Sequence, residues 1–559
     1  MNIIHNELPA EKNYSHVVLD IEMFNQQDGK LHRPTGKFAC LSLKFNGDDN
    51  VYQINSAGYI QKVMDFIRDI PIWILQKATY DLRHLRRWAA IPRHFVWDTL
   101  LVEKVMWGGY YVSFSLKDMA RRYLGIQMDK SARDAFSSEN IMSEDMKHYA
   151  AYDAVITEEV YFRQRDNISN PLRAVYTQVD EPMIWAVLDF QPVHIDVAGW
   201  EKLADEGEQR GKAIEAEIGV NVYSPKQVLS FVNSRLPKKL QITSTGEEVL
   251  SSLPPDPMID KILEARMWRK ASSTYGHKWL ASNVEEDGNV YADWNITGAE
   301  TGRMSCSSPN LQQIPSRKIH EYRDLFTAPK GMNMIIADVA QQEPRITAYL
   351  SHDKNLRKVF QEGRDIHLEV TRAVFHDDTI EKSDPRRSSH GKPINLGITY
   401  GMSARGLAGR IGVTEEEAQK FIDSYFQRFP GVQRYIITQR QLASKYGWVS
   451  TPYGRKIWLN PYDQSFENNA INAPIQGGAS DMTKVWVTKL WQMCHDDGMT
   501  FPVGMVIHDE LVLYVWQEDT HTYLNLLKRA FDEAVQQVFP GDVPFAYDVS
   551  VGSKWSDKK

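Results

Sequence analysis

The chain has 559 residues, of which 42% are hydrophobic and 25% are charged. This is ordinary globular usage, which excludes a disordered or fibrous protein, and the length predicts roughly three or four domains. Lys and Arg number 65 while Asp and Glu number 72, so the net charge is −7 and a globally basic nucleic-acid coat is excluded.

Three cysteines, Cys40, Cys306 and Cys494, lie far apart in the chain, which predicts isolated thiols in a reducing compartment. Residues 1–16 contain acids and no apolar segment, and no apolar run approaches the roughly 18 residues of a membrane span. We therefore expect a soluble, cytoplasmic protein.

The predicted elements follow one another in three blocks. Strand-like runs at 16–22, 38–45 and 72–75 and helical spacing at 80–88 and 143–164 predict an α/β unit. Long amphipathic segments from 171 to 280 predict a mostly helical second domain. Beyond 291, β-rich runs at 333–338 and 502–515 flank a helical block at 356–446, which predicts a sheet with a helical insertion.

Four acids and a tyrosine mark the first block. Asp20 and Glu22 lie two apart on a predicted strand and share a face, a pattern that alone is more typical of an ordinary polar strand surface than of a metal site. Asp81 lies near the start of a predicted helix, and Tyr149 and Asp153 lie one helical turn apart. Four converging buried carboxylates require cations, which predicts Mg²⁺ or Mn²⁺.

This set resembles the DEDD 3′-5′ proofreading exonucleases with a tyrosine in the third motif, which have a ribonuclease H-like fold. The resemblance implies that the four acids hold two metal ions and that Tyr149 orients the attacking water. Lys77 stands where the family usually has Asn, four residues before Asp81. We therefore expect this site to bind a frayed primer end differently from other members of the family.

A second group of acids lies in the last block. Asp338 ends a predicted buried strand, and His508, Asp509 and Glu510 interrupt the apolar run 505–512 at a predicted tight hairpin. Each alone is equally typical of a capped turn. Together, Asp338 and Asp509 are suited to bridging two Mg²⁺ ions about 3.5–4 Å apart.

Between these acids, Lys392, Leu396 and Tyr400 are spaced four apart and form one stripe on a predicted helix. A cation, an apolar surface and an aromatic ring on one face suit a triphosphate and a stacked base. The alternative is an amphipathic core helix with a solvated lysine.

In this order, and with the stretches 301–303, 310–315, 453–455 and 470–477, the segments closely resemble motifs A, B and C of family A DNA polymerases, the group of bacterial DNA polymerase I. The resemblance covers the chain from Asp20 to about Trp555. It implies a multidomain α/β protein, an exonuclease domain followed by a right-hand polymerase. The implied boundaries are exonuclease 1–165, thumb 166–285, first palm part 286–350, fingers 351–444 and second palm part 445–559.

The resemblance also implies the activity and its residues. The protein would extend primer-template DNA with deoxynucleotides and proofread it, as a monomer with two Mg²⁺ per active site, for which Mn²⁺ substitutes. Asp338 and Asp509 would bind metal, Glu510 would support them, and Glu343 would exclude a ribose 2′-hydroxyl. The implied nucleotide-binding residues are Glu343, Gln341, Lys392, Leu396, Tyr400, Arg387 and His390, and the implied DNA-binding residues are Arg303, Asn310, Asn472, Gln476 and His508.

Several positions depart from the family pattern. Ser388 stands where motif B has its arginine, and either Arg387 or His390 is expected to replace it if the first helical turn is irregular. Leu396 replaces Phe or Tyr, which predicts poor use of dideoxynucleotides. Pro344 replaces the leucine that usually follows the residue at the position of Glu343. Asn468 replaces an arginine four residues before Asn472.

With a negative net charge, DNA binding requires a local basic surface. Arg266, Arg269 and Lys270 lie three or four apart on a predicted helix and are expected to face one way, so that Arg266 and Lys270 would contact DNA. The alternative is a solvated helix face.

Two rival functions stay open at this stage. A single-subunit RNA polymerase shares the palm acids, but the acid Glu343 and the linked exonuclease argue against it. A non-catalytic scaffold is disfavoured because all six metal-binding carboxylates are present. The exonuclease unit begins near Asp20, leaving no room for a preceding 5′-nuclease domain, which favours a phage replication enzyme; processivity partners and fidelity are not predicted.

Overall fold

The computed structural model describes residues 2–10, 13–25, 35–110, 112–129, 131–315, 319 and 321–558. A six-stranded sheet in the amino-terminal unit contains β1 (Asn2–His5), β2 (His16–Phe24), β3 (Lys37–Phe45), β4 (Asn50–Ile54), β5 (Ile72–Leu75) and β6 (Val96–Asp98). The strand order is β1-β4-β3-β2-β5-β6, with β2 antiparallel to β3 and parallel to β5. The three strands predicted in this unit are confirmed.

The helices of this unit, which pack on the sheet or on one another, are α1 (Ile60–Ile67), α2 (Ala78–Leu85), α3 (Thr99–Trp107), α4 (Leu116–Leu124), α5 (Ser131–Ala135) and α6 (Glu144–Asn167). Consecutive residues of β2 are buried, so both faces of this central strand are covered, as its continuous apolar run requires. Helix α2 begins two residues earlier than its spacing predicts, because Lys77 takes a left-handed conformation with φ 68° and ends the preceding loop.

The next block is helical, as predicted. It contains α7 (Asn170–Val175), a π-helical turn (Tyr176–Asp180), α8 (Glu181–Leu188), β7 (Val193–His194), α9 (Val197–Ile218), α10 (Pro225–Arg235), α11 (Glu247–Ser251), α12 (Pro257–Tyr275) and α13 (His277–Asn283). Helix α9 packs on α12 where Gly207 admits the Trp268 ring and Gly211 admits Arg269. The far end of this arm has a small hydrophobic core of its own, around Val222, Val228 and Ile262.

The remaining strands are β8 (Asn289–Val290), β9 (Asp293–Asn295), β10 (Ser305–Ser307), β11 (Met332–Val339), β12 (Trp448–Ser450), β13 (Lys456–Trp458), β14 (Val503–Ile507), β15 (Glu510–Trp516) and β16 (Tyr547–Gly552). Four of them form an antiparallel sheet in the order β14-β15-β11-β16. The predicted hairpin lies at residues 508–509, between β14 and β15. Strand β11 is central, so its carboxyl end is flanked on both sides.

The predicted helical insertion separates β11 from β12. It contains α15 (Gln342–Ser351), α16 (Lys354–Gln361), α17 (Ile366–Phe375), a π-helical turn (Arg387–Gly391), α18 (Lys392–Thr399), α19 (Ala404–Ile411), α20 (Glu415–Arg428) and α21 (Pro430–Tyr446). Beyond residue 291, the other described α-helices are α14 (Glu321–Asp324), α22 (Phe466–Asp496) and α23 (Thr520–Val538). All three cysteines are buried free thiols, as expected. Of the helices described, none has the length and apolarity to cross a bilayer.

Two candidate active sites

The first site lies near the carboxyl end of β2, a central strand of the amino-terminal sheet. Asp20 and Glu22 point from the same face of β2, Asp81 lies in the first turn of α2, and Asp153 lies in α6. Burial, followed by the charges of Glu22, Asp153 and Asp81, raises the pKa of Asp20 well above its usual range. The four predicted carboxylates are thus close enough to act on one another.

Backbone hydrogen bonds hold Asp81 beside β2. Its Oδ1 accepts a hydrogen bond from the backbone N–H of Ile21, at 3.0 Å, which joins α2 to β2. The buried Asp98 accepts the N–H groups of Lys77 and Ala78, at 3.1 and 2.8 Å, and so fixes the start of α2. Asp98 was missed in the sequence, although an acid ending the short apolar strand β6 is a usable signal.

Tyr149 completes the first site. Its ring is buried beside Phe136 and Met146, and its hydroxyl hydrogen-bonds Asp153. Burial, then the charges of Asp153 and Glu22, raises the pKa of the phenol, so it stays protonated and keeps an O–H donor at neutral pH. This is a group able to orient a water molecule beside the carboxylates.

The raised carboxylate pKa values predict a pH-dependent stability in EDTA. Burial is the main reason that the pKa of Asp81 rises to about 8, from an ordinary value of about 3.9. The folded protein therefore binds more protons than the unfolded chain between these values, and the free energy of unfolding falls as pH rises through this window, by on the order of 1 kcal/mol per pH unit per group.

Chemical denaturation in EDTA at pH 5, 6, 7 and 8 measures this slope. Asp81→Asn is expected to flatten it, and the exposed Asp65→Asn is the matched control that should leave it unchanged. A slope equal in the wild type and Asp81→Asn would contradict the account.

The second site lies at the carboxyl end of β11. Asp338 is paired in register with Glu510 on β15 and Asp548 on β16. Asp509 lies in the turn between β14 and β15, and its carbonyl accepts the Val339 N–H at 3.2 Å. Burial and the neighbouring Asp338 charge raise the pKa of Asp509 to about 6. The two predicted aspartates, Asp338 and Asp509, therefore lie close together at the carboxyl end of β11.

A lysine near the end of the chain was missed in the sequence. Lys558 Nζ lies 2.5 Å from Asp338 Oδ2 and 2.7 Å from Glu510 Oε2, and Trp555 Nε1 donates to Glu510 Oε1 at 2.5 Å. Glu510 is only 3% exposed, because it begins β15 instead of lying in the exposed turn. No local sequence pattern marks Lys558 as a partner of residues this distant.

A cavity of about 260 Å³ opens beside Asp509 and brings several predicted residues together. Arg303, Glu343, His508 and Asp509 line it, with Lys484. Arg303 Nη2 donates to Glu343 Oε1 at 3.2 Å, and the Tyr400 hydroxyl donates to Glu343 Oε2. Glu343 therefore joins the sheet side of the cavity to the end of α18.

The exposed face of α18 agrees with the predicted stripe. Lys392, Leu396 and Tyr400 are partly or fully exposed, whereas Ile394 and Ile398 between them are buried in the core. Asn472 Nδ2 donates to the Tyr400 carbonyl at 3.5 Å. The helix thus presents its cation, apolar side chain and aromatic ring on one side.

The helical turn before α18 is irregular, which bears on the missing motif B arginine. The Lys392 N–H donates to the Arg387 carbonyl five residues earlier, so Arg387–Gly391 is a π-helical turn. This turn accommodates one residue more than an α-helical turn, which brings Arg387 beneath Lys392 where an α-helix would place Ser388. His390 instead packs edge-on against Phe375, at 5.4 Å between ring centroids.

Next to this turn lies His367 on α17, which sequence reasoning missed. Its Nδ1 is buried with no hydrogen-bond partner among the described residues. Burial, together with the neighbouring cations Arg387 and Lys392, lowers the pKa of His367 to about 4. Asp365 holds Arg387 in place, with Nη2 and Oδ2 2.5 Å apart.

The other predicted residues have definite places. Gln341 is the left-handed residue before α15, with φ 52°. Asn310 accepts the Gln312 N–H at 3.0 Å and begins a short 3₁₀ helix. Gln476 lies one turn after Asn472 on α22, and both are partly exposed. His508 is exposed in the turn, with φ 60°.

On α12, the Arg266 side chain turns away from the face that the spacing predicts to be basic. Its guanidinium donates to the Val222 carbonyl at 2.8 Å and to the Thr245 carbonyl at 2.5 Å, so its donors serve contacts within the arm. Arg269 turns to Glu215, at 3.5 Å, while Lys270 is exposed. Spacing alone could not show this, because the two acceptor loops lie far from α12 in the sequence.

Both sites offer the all-oxygen ligand sets that Mg²⁺ and Mn²⁺ prefer. Asp20 Oδ2 is buried with no hydrogen-bond partner among the described residues, which suits an oxygen that ligates a cation. In the conformation described, no three Asp, Glu, His or Cys side chains of the described ranges lie close enough to share an ion. The residues fit a divalent ion by their chemistry, and the repelling carboxylates must draw together to hold it.

Comparison with known families agrees with this arrangement. The sequence profile of DNA polymerase family A matches residues 199–557. The chain belongs to DNA polymerase family A. A second profile, of 3′-5′ exonuclease domains, matches residues 12–166, so this family A chain has an exonuclease domain followed by a polymerase domain, and the predicted fold class is confirmed.

Individual relatives of this family A chain are bacterial. DNA polymerase I of Pseudomonas aeruginosa is 32% identical over 524 residues, which is 86% of this chain and 56% of that protein. The thermostable DNA polymerase I of Thermus filiformis is 31% identical over 439 residues, 73% of this chain and 51% of that protein. The chain spans about half the length of the curated relatives it matches.

A solved structure resembles nearly the whole family A chain. It is the POL domain of Pol1 from M. smegmatis, in a complex with DNA primer-template and dNTP. The TM-score is 0.81 at 25% identity, and the alignment covers 99% of each chain.

Proposed function

We propose that the chain is a template-directed DNA polymerase that adds deoxynucleotides to a primer 3′ end and removes them by 3′-5′ exonuclease action. The proximity of Asp338 and Asp509 at the carboxyl end of β11 carries the proposal, with Asp509 lining a cavity that Arg303 and Glu343 also line. Supporting it, the M. smegmatis structure that shares this fold holds primer-template DNA and dNTP.

The domain boundaries belong to the same proposal. Residues 1–165 would form the exonuclease, 166–285 the thumb, 286–350 and 445–559 the palm, and 351–444 the fingers. The helical arm with its own small core supports the thumb assignment, and the helical insertion after β11 supports the fingers. Work as a monomer in a bacterial cytoplasm fits the bacterial relatives; a phage origin stays a prediction.

Asp338 and Asp509 would hold two Mg²⁺ ions in the polymerase site, and Asp20, Glu22, Asp81 and Asp153 two in the exonuclease site, with Mn²⁺ as a substitute. Bound ions would stabilise charge on the attacking and leaving oxygens of phosphoryl transfer. Glu510, tied to Lys558 and Trp555, would keep β15 and the carboxyl-terminal segment in place beside Asp338.

The chain's own residues would position the substrates. Lys392, with Arg387 brought beneath it by the π-helical turn, would meet the triphosphate, and the unpartnered Nδ1 of His367 adds a hydrogen-bonding group beside them. Tyr400, at the end of α18, would lie beside the templating base. Tyr149 would orient water in the exonuclease site through its protonated hydroxyl.

The direct test uses a 5′-labelled primer annealed to a longer template in Mg²⁺. With the four deoxynucleotides the primer is expected to lengthen, and without them it is expected to shorten. If neither change occurs with Mg²⁺ or Mn²⁺, the proposal of a polymerase fails.

The sugar preference gives a second test, which also addresses the RNA polymerase alternative. Glu343 is fixed by Arg303 and Tyr400, so its side chain is rigid where a 2′-hydroxyl would need space. Glu343→Ala is expected to raise ribonucleotide incorporation relative to deoxynucleotide incorporation about 10- to 100-fold.

Single-nucleotide insertion kinetics measure this ratio. The exposed Glu362→Ala is the control and should leave it unchanged. Equal ratios in the wild type and Glu343→Ala would show that Glu343 does not exclude the 2′-hydroxyl.

A further inference from the structure

Aromatic and basic side chains follow one another across the surface where the exonuclease domain meets the polymerase. We name this set the aromatic strip; it contains Tyr446, Trp448, Lys456, Trp458, Trp107 and Tyr110. Its centre is the two-stranded ribbon of β12 and β13, in which Trp448 pairs directly with Trp458. None of these residues belongs to the two sites described above.

Alternation along the ribbon separates a buried face from an open one. Val449 and Ile457 are each 2% exposed and pack on Ala470 and Ala473 of α22. Because side chains alternate along a strand, Trp448, Lys456 and Trp458 lie on the other face. Three large side chains are therefore displayed outward by a well-packed ribbon.

These side chains stack on one another. Lys456 Nζ lies 3.7 Å from the Trp458 ring centroid and 4.6 Å from that of Trp448. The Trp107 and Trp458 rings stack with centroids 5.6 Å apart and planes 18° from parallel, and Tyr110 meets Trp458 edge-on at 5.1 Å. The strip thus continues from the polymerase onto the exonuclease domain.

Backbone contacts fix the junction beneath the strip. The Trp458 N–H donates to the Gly108 carbonyl at 2.8 Å, and its indole N–H donates to the Met106 carbonyl at 3.0 Å. Gly109, with φ +83°, approaches so closely that a Cβ there would lie 2.1 Å from the Trp458 carbonyl oxygen. The two halves of the strip are therefore held in one arrangement.

The composition of the strip suits single-stranded nucleic acid. Within the described chain, Lys456 and Lys445 have no carboxylate partner, and Lys445 lies over the Tyr446 ring at 4.9 Å. Tyr110 and Tyr446 are 49% and 47% exposed. Bases stack on aromatic rings without regard to sequence, and unpaired lysines meet the phosphates between them.

The position of the strip indicates which strand it meets. Gly401, next to Tyr400, contacts Asn468 and Ile471 on α22, whereas the ribbon packs on Ala470 and Ala473, on the far side of the same turns. In the loop just before α22 lies Tyr462, which is 94% exposed. A strand leaving Tyr400 would pass around the start of α22, by Tyr462, to reach the strip.

We propose that the aromatic strip binds single-stranded DNA, namely the unpaired template ahead of the polymerase site. This rests on the proposed function for the identity of the strand. Its binding chemistry does not depend on catalysis.

Fluorescence anisotropy without nucleotides tests the proposal, using primer-templates with template overhangs of one and of about ten nucleotides. The wild type is expected to bind the long overhang more tightly. Trp448→Ala/Lys456→Gln should weaken binding of the long overhang about tenfold and that of the short one less than twofold. For the long overhang, the slope of log K against log salt should fall by about 0.7.

Two further variants keep the test independent of folding. Tyr462→Ala removes a side chain that is almost fully exposed and should weaken long-overhang binding about fivefold. The control, Tyr59→Ala/Lys62→Gln, removes a lysine over a tyrosine elsewhere on the exonuclease domain and should change neither affinity.

An overhang contribution that is absent in the wild type, or that is unchanged in both Trp448→Ala/Lys456→Gln and Tyr462→Ala, would overturn the proposal. Failure of the wild type to extend the one-nucleotide overhang in Mg²⁺ would be a separate result, against the proposed function. The overhang comparison would still decide whether the strip binds single strands.

Discussion

Asp509→Asn is expected to abolish primer extension while primer shortening continues. The substitution removes one of the two carboxylates that would hold the polymerase ions. A loss of about 4 kcal/mol of stabilisation at the reacting phosphate lowers the rate about 10³-fold. No other described residue forms a side-chain hydrogen bond or ion pair with Asp509, so the fold should not suffer.

Single-turnover extension of a labelled primer measures this loss, and shortening without nucleotides measures the retained exonuclease. Asp497→Asn, an exposed carboxamide substitution at the end of α22, is the matched control and should extend normally. If the extension rate of Asp509→Asn were within tenfold of the wild-type rate, Asp509 would not be a residue of the polymerase site.

Arg455→Met is expected to cause the largest loss of stability. Arg455 Nη1 lies 2.8 Å from Asp180 and Nε 2.7 Å from Asp481, and Lys484 lies 2.6 Å from Asp180. All four side chains are at most 2% exposed. Burial alone would raise the pKa of Asp180, but the Arg455 and Lys484 cations hold it below its usual range.

Removing one cation from this balanced set leaves an uncompensated buried negative charge, which costs about 3–5 kcal/mol. Arg455 also supports the loop that carries Arg303, since a Cβ on Gly302 would lie 2.7 Å from Arg455 Nε. Arg455→Met should therefore weaken primer-template binding as well as lower the free energy of unfolding.

Denaturant unfolding and anisotropy measure the two effects. Arg440→Met is the control, because Arg440 pairs with Glu467 at 3.3 Å on the surface, where an ion pair contributes under about 1 kcal/mol. Asp180→Asn/Arg455→Met removes one charge of each sign and should cost less than the sum of the single variants. Equal losses from Arg455→Met and Arg440→Met would contradict the account.

Local patterns explain what could be predicted from the sequence. Strand β2 is an apolar run with acids two apart, so its position, its burial and the shared face of Asp20 and Glu22 follow from period 2. The same reasoning placed Asp338 at the end of β11 and Asp509 in a tight turn. Asp20, Glu22, Asp338 and Asp509 stand out because they interrupt buried strands or lie at their ends.

What could not be predicted depends on contacts between distant segments. Lys558 reaches Asp338 only because β16 returns the chain beside β11. Arg266 turns inward because the chain at Val222 and Thr245 offers it carbonyl acceptors.

The replacement of the motif B arginine by Ser388 is another feature that the sequence alone could not explain. Its spacing in the sequence is one residue too long, and only the π-helical turn shows how Arg387 regains the position beneath Lys392. The π-helical turn accommodates the extra residue, so the helix that follows keeps the same side chains on its exposed face.

In the proposed function, one chain carries two separate carboxylate sites with opposite effects on a primer end. A single gel with Asp509→Asn, Asp81→Asn and the wild type on a 5′-labelled primer-template in Mg²⁺ tests it most directly. The account predicts that Asp509→Asn shortens the primer without extending it and that Asp81→Asn extends it without shortening it. Loss of both activities in either folded variant, or retention of both, would contradict it.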